Sequence, residues 1–266
     1  MTTETAEKLA ASLSAETGRL LPFLPYLLQD FWTLGSEPKV MAQLLKDYAN
    51  LPPQAKVLEL ACGKGAVAIK IAQELQVKVK GIDIIIAFTE VAAQKACEYK
   101  VDNLCRFTVD DINEAVQTER DYDVVILGGV GSDVLGGPAQ TLSKLKAPLK
   151  AGGYILIDEV YLNANAKHTD LQYDKNEYLY ENEWLALFKE AGLQLVKTIL
   201  ASDIEASENL DKVTGMAAIT QRANELMLKY PAEKELFASY IRSQQAEYND
   251  LDDSLVGVAW LLKKND

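Results

Sequence analysis

The sequence predicts an α/β fold in which a sheet of about seven strands, most of them parallel, carries helices on both faces. Segments rich in Val, Ile and Leu alternate with amphipathic helical patterns through the middle of the chain, which is typical of βαβ units with right-handed crossovers. A glycine-containing turn, GKGAVA, joins the first of these strands to a helix. The chain has 266 residues, 48% of them apolar, so it can bury a sizeable core.

The first 54 residues are predicted to form a helical lid over that core. The stretch LLPFLPYLLQDFWTLG is too apolar for a free tail, and two prolines and Gly35 break it into short pieces. Ser36 is expected to cap the next helix, with Pro38 in its first turn. The apolar face of that helix, which should pack on the sheet, comprises Val40, Met41, Leu44, Leu45 and Tyr48.

The core is predicted to comprise residues 55–202 and 254–266. Its first five strands are expected at AKVLELA, VKVKGIDI, LCRFTVD, YDVVILGG and GYILIDEVY. Helical spacing of apolar residues indicates helices from Ile85 to Tyr99 and from Pro138 to Leu149. Two more strands, LQLVKTILA and SLVGVAWLLKK, follow a helix that should end at Gly192.

Residues 203–253 separate the last two strands by roughly fifty residues, where a hairpin would need only a few. They are predicted to form two helices, one from Val213 to Lys229 and one that begins at Pro231. Each helix has an apolar stripe that needs cover. We expect this insertion to pack on the edge of its own domain, or to cap an acceptor pocket and contribute a homodimer contact.

Composition excludes several classes of function. With 39 acidic and 27 basic residues, the net charge of −12 would repel a phosphate backbone, so nucleic acid is not an expected partner. No apolar run is long enough for a membrane span, and the first twenty residues lack the pattern of a secretory signal, so we expect a cytoplasmic protein. The three cysteines form no CxxC pair, and no metal site is expected.

The glycine turn has the spacing of a nucleotide-binding site. Gly63, Gly65 and Ala68 fit the pattern G-x-G-x-x-A between a strand and a helix, and Asp83 ends the next strand. Glycines allow a ligand to approach the backbone closely, and the carboxylate can accept hydrogen bonds from two ribose hydroxyls. This combination predicts a ligand that contains a nucleoside.

Glu59 distinguishes between such ligands because it would lie at the end of the first strand, beside the turn. A carboxylate there would repel the pyrophosphate of a dinucleotide. It would instead attract S-adenosylmethionine (SAM), which has an ammonium and a sulfonium group and no phosphate. The sequence therefore favours SAM as the cofactor.

Five motifs, in order, resemble those of class I SAM-dependent methyltransferases, with small-molecule enzymes like those of ubiquinone and menaquinone biosynthesis as the nearest type. The first departs from the usual pattern at Ala61, where glycine is commoner. The motifs are Glu59 to Gly65, Gly81 to Ile84, Val109 to Ile112, Tyr122 to Gly129, and Leu149 to Ile157. The resemblance covers about residues 55 to 200 and the last strand, and it implies a Rossmann-like sheet whose seventh strand is antiparallel.

The resemblance also implies which residues contact the cofactor. Glu59 would face its ammonium, Asp83 its ribose, and Asp111 its adenine. The full implied set is Glu59, Ala61, Cys62, Gly63, Gly65, Asp83, Ile84, Asp110, Asp111, Ile112, Gly128 and Gly129. The implied activity is methyl transfer to a small molecule.

No catalytic motif stands out, because a sulfonium is already a good leaving group and transfer chiefly requires correct placement of the acceptor. Asp133 and His168 are candidates for a general base, as are Glu159 and Tyr161. A turn role for Asp133 and a solvated surface role for His168 are the competing interpretations. Trp32 and Tyr161 are candidates for the wall of an acceptor pocket, against a simple core role.

Two other functions remain open at this point. A protein that binds SAM without turnover would need the same cofactor site and no general base. A NAD-dependent oxidoreductase would use the same glycine turn, although Glu59 and the later motifs disfavour it.

Overall fold

The computed structural model describes residues 3–173, 178–204 and 211–265. Its seven strands form one sheet in the order β3-β2-β1-β4-β5-β7-β6. The strands are β1 (Lys56–Leu60), β2 (Lys78–Asp83), β3 (Cys105–Val109), β4 (Tyr122–Gly128), β5 (Leu149–Leu162), β6 (Leu193–Leu200) and β7 (Leu255–Lys264). Strands β1 to β5 pair in parallel, whereas β7 is antiparallel to both β5 and β6. The predicted fold class is confirmed.

Helices cover both faces of the sheet. They are α1 (Thr3–Ser12), α2 (Leu24–Leu27), α3 (Pro38–Tyr48), α4 (Ala66–Leu75), α5 (Ile86–Glu98), α6 (Ile112–Thr118), α7 (Pro138–Lys146), α8 (Glu181–Glu190), α9 (Lys212–Lys229) and α10 (Lys234–Asp253). Short 3-10 helices lie at Gly18–Phe23, Ser132–Leu135, His168–Asp170, Ala201–Asp203 and Pro231–Glu233. In the part of the chain that the structure describes, no helix is long and apolar enough to cross a membrane.

Alternate side chains of each strand enter different halves of the core. Leu58 and Leu60 of β1 pack with α6, α7 and α8, where Trp184 is fully buried. Val57 of the same strand packs with α3 and α4, among side chains such as Met41. Complete burial of each such side chain contributes roughly 1.5–3 kcal/mol, so the strand alternation fixes which helices lie on which face.

Two boundaries differ from the sequence prediction. The N-cap position of α3 is Glu37 rather than Ser36, and its side chain makes no capping hydrogen bond. Ser36 is instead buried against Gly128, where a Cβ would clash with its hydroxyl. Helix α7 ends at Lys146, and β5 begins at Leu149, which pairs with Tyr122 before the register shifts. Backbone pairing with β4 therefore places Leu149 and the turn that follows it in a strand, whereas the apolar spacing had predicted a helix end and a turn there.

The two helices predicted for the insertion are present as α9 and α10. Their apolar stripes pack against the N-terminal segment, where Leu24 and Leu27 contact a cluster that includes Ile219 and Phe237. The ring centroids of Phe23 and Phe237 are 5.0 Å apart in an edge-to-face arrangement. We call residues 3–37 and 211–253 together the cap. Its stripes are thus covered within one chain.

Candidate functional site

The turn after β1 requires backbone conformations that favour glycine. Ala61, Gly63 and Gly65 have φ angles of 54°, 52° and 75°, all in the left-handed region that costs an L-residue about 1–2 kcal/mol. This explains why glycine is commoner at the position of Ala61. A Cβ at Gly65 would lie 2.8 Å from Ala92 and Phe107, so this glycine serves the packing of α4 as well as the turn.

Asp83 holds the turn in place. Its carboxylate accepts hydrogen bonds from the amides of Gly63 and Ile85, both at 2.8 Å. Only 6% of the residue is exposed, and burial raises the pKa of the carboxyl. One side chain therefore fixes both the glycine turn and the start of α5.

Glu59 is a buried acid beside the same turn. It is 6% exposed, and its Oε2 atom has no hydrogen-bond partner among the residues that the structure describes. Burial, with the charge of Asp83 adding to it, raises the pKa of Glu59 to about 8. A cationic group placed here would offset the cost of burying the carboxylate, and the ammonium of SAM meets this requirement.

Two adjoining cavities extend from this turn across the ends of β1, β2 and β3. A small one of about 50 Å³ is lined by Trp32, Leu34, Glu59, Cys62 and Gly128, among others. A larger one of about 290 Å³ is lined by residues that include Ile84, Asp111 and Ile112. Ala61 and Asp83 line both cavities. We call this pair the cofactor-side cavities.

Asp111 and its neighbour Asp110 differ in position. Asp111 caps α6 by accepting a hydrogen bond from the Asn113 amide at 2.8 Å, and it lines the larger cavity. Asp110 is exposed, accepts a hydrogen bond from the Asp111 amide at 2.8 Å, and is not among the residues that line either cavity. The geometry thus brings Asp111 to the site and leaves Asp110 at its margin.

The segment from Leu28 to Ser36 lies directly on the glycine turn. Lys64, in the middle of the turn, donates hydrogen bonds from Nζ to the carbonyls of Leu28 and Phe31, each at 2.5 Å. Trp32 returns a bond from Nε1 to the Lys64 carbonyl at 3.2 Å. Lys64 is 5% exposed, and burial lowers its pKa to about 8.

The same segment also packs closely against the backbone of the glycine turn and of the residues that follow β4. A Cβ at Gly63 would lie 3.3 Å from Leu34 Cδ1, and a Cβ at Gly35 would lie 3.0 Å from the Cα of Gly129. These approaches leave little space above the end of the sheet. The segment is therefore seen in a closed position over the cofactor-side cavities.

A separate cavity of about 420 Å³ lies beyond the ends of β4 and β5, beneath the cap. Much of its wall is apolar, with Val40, Met41, Trp184, Leu251 and Val258. Five carboxylates also line it: Glu37, Asp133, Asp158, Glu159 and Glu247. We call it the acceptor-side cavity.

The acids on β5 have altered protonation behaviour. Burial raises the pKa of Asp158 to about 6. Burial and the neighbouring charges of Asp158 and Asp133 raise the pKa of Glu159 to about 8. Burial also raises the pKa of Glu247 on α10. Both acids on β5 therefore change protonation within about one to two pH units of neutrality, which is the range that suits proton transfer.

The structure separates the predicted catalytic candidates. Asp133 and Glu159 line the acceptor-side cavity. His168 is exposed, and its Nε2 lies 2.8 Å from the Tyr178 carbonyl, outside the residues that line the cavity. Tyr161 stacks on Trp260 in the core, with ring centroids 6.0 Å apart. The structure thus gives His168 and Tyr161 no access to this cavity, and it places Trp32 at the cofactor-side cavities instead.

Three acids of the acceptor-side cavity were missed by sequence reasoning, namely Glu37, Asp158 and Glu247. Asp158 had a signal, since it ends the apolar run of β5 next to Glu159. Glu37 and Glu247 had no such signal. Glu37 lies in the turn before α3, and Glu247 lies in a polar stretch that is typical of a helix surface.

Comparison with known proteins gives the class. A family model described as a methyltransferase domain matches residues 52–249. The chain belongs to this family. Membership confirms the predicted class of enzyme, a class I methyltransferase, and its cofactor, SAM. A comparison of this methyltransferase with the curated proteins finds no match.

Solved structures share the fold of this methyltransferase along most of its length. A SAM-dependent methyltransferase from Geobacter sulfurreducens, solved with S-adenosylhomocysteine (SAH), has 21% identity and a TM-score of 0.73, covering 91% of this chain and 97% of its own. One from Thiobacillus denitrificans, also with SAH, has 22% identity and a TM-score of 0.72, covering 90% and 97%. YjhP from E. coli has 20% identity and a TM-score of 0.73, covering 91% and 98%.

Proposed function

We propose that this methyltransferase transfers the methyl group of SAM to a small molecule bound in the acceptor-side cavity. The observation that carries this proposal is a shared wall. Ser12 of α1 and Val130, two residues after β4, line the acceptor-side cavity and both cofactor-side cavities. An acceptor and a cofactor bound in these spaces would meet at that wall.

The cofactor would be held by residues from three strand ends. Glu59 would face the ammonium, Asp83 would accept bonds from the ribose hydroxyls, and Asp111 would lie beside the adenine with the amide of Ile112. The turn from Ala61 to Gly65 would lie along the methionine portion. Ile84 lines the larger of the cofactor-side cavities, and its apolar side chain would contact the nucleoside.

The chain's own contribution to the reaction is placement and exclusion of water. SAM supplies a methyl group on a positively charged sulfur, which needs no further activation. The protein must hold the acceptor atom about 3 to 3.5 Å from that methyl carbon. The segment from Leu28 to Ser36, bonded to Lys64, would cover the reacting groups, so water would be kept from competing with the acceptor.

A small acceptor is supported by the dimensions of the cavity. Its volume of about 420 Å³ is within the range of roughly 300–1,000 Å³ that is typical of small-molecule sites. The cap contributes Glu247 and Leu251 of α10 to the cavity wall. A polypeptide or nucleic-acid acceptor would have to displace the cap.

The proposal is tested in two steps. Calorimetry should show binding of SAM and SAH and no binding of NAD, and tighter binding of NAD than of SAM would contradict the assignment. Turnover is then measured as SAH release with a pool of small metabolites. Release that depends on the pool is expected, whereas binding without release from any fraction would leave a SAM-binding protein without enzyme activity.

The homodimer predicted from the insertion is a separate proposal. Exposed apolar side chains remain on α9 at Val213 and Leu228, which are 79% and 87% exposed. Light scattering should give twice the chain mass if they form a contact between subunits. A monomeric mass at about 100 μM would exclude a stable dimer.

A further inference from the structure

The acceptor-side cavity has an unbalanced charge. Its five carboxylates come from different elements: Glu37 from the start of α3, Asp133 from the 3-10 helix after β4, Asp158 and Glu159 from β5, and Glu247 from α10. No Lys, Arg or His lines the cavity among the residues that the structure describes. Acids gathered in a partly apolar space repel one another and lose solvation, so the cavity is suited to a cation.

Glu159 provides an independent sign that a ligand belongs there. Only 8% of the residue is exposed, and its Oε1 atom is buried with no hydrogen-bond partner in the described part of the chain. An unsatisfied polar atom at this depth costs about 1–3 kcal/mol. A donor on a bound molecule would remove that cost.

We infer that the acceptor is an amine on an apolar body, which enters the cavity as an ammonium ion and gives a proton to Glu159 before methylation. This inference rests on the proposed methyl transfer. An organic cation fits better than a metal ion, because no group of His, Cys, Asp or Glu side chains within the described residues is arranged to hold a metal. The apolar wall formed by Met41, Trp184 and Val258 would contact the rest of the molecule.

The proposed reaction balances without any further reactant. The bound ammonium favours the charged form of Glu159, whose own proton leaves to solvent as the ligand binds. A proton then moves from the ammonium nitrogen to Oε1 of Glu159, and the nitrogen keeps the electron pair. That pair forms the bond to the methyl carbon, while the carbon–sulfur bond breaks and its electrons stay on sulfur. The positive charge passes from sulfur to nitrogen, and the methylated ammonium remains among the carboxylates until it leaves.

Matched ligands test the choice of an amine directly. Calorimetry on the SAH-loaded protein at pH 7 would compare three skeletons, namely benzyl, phenethyl and hexyl, each as the ammonium, the alcohol and the carboxylate. We expect at least one ammonium to bind about tenfold or more tightly than its alcohol, and the carboxylates to bind most weakly, because a charge-assisted hydrogen bond replaces a neutral one. An alcohol or a carboxylate that binds as tightly as its ammonium, or no binding by any ammonium, would overturn the inference.

A pair of variants tests Glu159. Glu159→Gln keeps the shape and removes the charge, so the preference for ammonium should fall by about tenfold while SAH affinity stays unchanged. In turnover with an amine acceptor, kcat should fall by about a hundredfold or more, as for loss of a general base. Glu190→Gln, on the exposed surface of α8, is the matched control and should change neither quantity.

The outcomes separate this inference from the proposed function. A wild-type protein that fails to bind SAH would refute the proposed function itself. If SAH binds, and SAH is released during turnover only with alcohol or carboxylate acceptors, the proposed methyl transfer stands and the inference of an amine acceptor is wrong. A Glu159→Gln protein with wild-type kcat and an intact ammonium preference would exclude the proton transfer to Glu159.

Discussion

The cofactor-side cavities and the acceptor-side cavity are built in different ways. On the cofactor side, the key polar groups come from three short stretches, each at the end of a strand, and backbone amides already hold Asp83 and Asp111. On the acceptor side, the carboxylates come from the start of α3, the 3-10 helix after β4, β5 and α10. Each side holds one buried acid, Glu59 or Glu159, with an oxygen that has no hydrogen-bond partner among the described residues. The first site is made locally, whereas the second exists only after the whole chain has folded.

This difference indicates which of the two sites can change its ligand specificity more easily. A locally made site depends on short motifs, so its ligand can be inferred from them. A site assembled from distant elements can change its preference for an acceptor through a single substitution outside the motifs, for example at Glu37 or Glu247. Substitutions on the two sides should therefore have separable effects.

The largest separable effect is expected from Asp83→Ala. The variant would lose hydrogen bonds to the ribose and the anchor of the glycine turn, so SAM affinity should fall by a factor of about a hundred or more, or about 3 kcal/mol. Calorimetry measures the affinity, and circular dichroism checks the fold. Asp102→Ala, an exposed acid before β3, should bind SAM normally. Unchanged affinity in a folded Asp83→Ala protein would reject the ribose role.

Glu59→Gln should give a smaller effect with a distinctive proton signature. Because the pKa of Glu59 is raised to about 8, the carboxyl is mostly protonated at pH 7 without ligand. A nearby ammonium favours the charged form and lowers that pKa, so SAM binding should release about one proton. Calorimetry in buffers of different ionisation enthalpy would detect it, and the variant should release none and bind about tenfold more weakly. Equal proton release by both proteins would refute the contact with the ammonium.

Lys64→Met should increase the mobility of the segment from Leu28 to Ser36 more than it lowers the affinity for SAM. The variant removes the charged donor to the carbonyls of Leu28 and Phe31, each bond contributing about 1.5 kcal/mol or more. Hydrogen exchange of residues 20–36 should accelerate by about a hundredfold in the variant. In the wild type, exchange of this segment should slow when SAM binds. Exchange rates that depend on neither change would show that the segment is not a lid.

The smallest effect is expected at Ala61. Replacement by glycine relieves a left-handed conformation that costs about 1–2 kcal/mol, while the freer unfolded chain takes back about 0.4–1 kcal/mol. Urea unfolding should therefore show a gain of about 0.5 kcal/mol with SAM affinity retained. Ala72→Gly, at a fully buried position inside α4, is the contrasting control and should destabilise by about 1 kcal/mol or more, because loss of a buried methyl group adds to the cost of glycine in a helix. A loss of stability at both positions would mean that the strain at Ala61 is not relieved.

Much of the fold could be predicted because its signals are local. Strands buried on both faces appear as continuous apolar runs, and each of the seven was found near its observed place. The errors arose where tertiary contacts decided the outcome. Ser36 was expected to cap α3, but its burial against Gly128 left that position to Glu37, and no local pattern shows such a contact.

Residues that line the cofactor-side cavities, such as Asp83 and Asp111, could be brought together from the sequence for the same reason. Asp83 follows the glycine turn at a fixed distance, and parallel strands bring their ends to one edge. On the acceptor side, Asp133 and Glu159 were named as bases from their positions after strands, and both line the cavity. Tyr161 follows the same rule but stacks on Trp260 in the core, a tertiary contact that no local pattern shows. Glu247 could not be found, because its role depends on where α10 packs.

The packing of the cap constrains the order in which segments of the chain can fold during translation. Leu24 and Leu27 are made early, but their partners Ile219 and Phe237 follow roughly 200 residues later, which at roughly 5–20 residues per second is about 10–40 s of translation. Over that interval the apolar N-terminal segment lacks its contacts with α9 and α10, while the strands from β1 to β5 can already pair. The N-terminal segment of the cap is therefore among the last parts of this chain to reach its native packing, although it precedes the sheet in sequence.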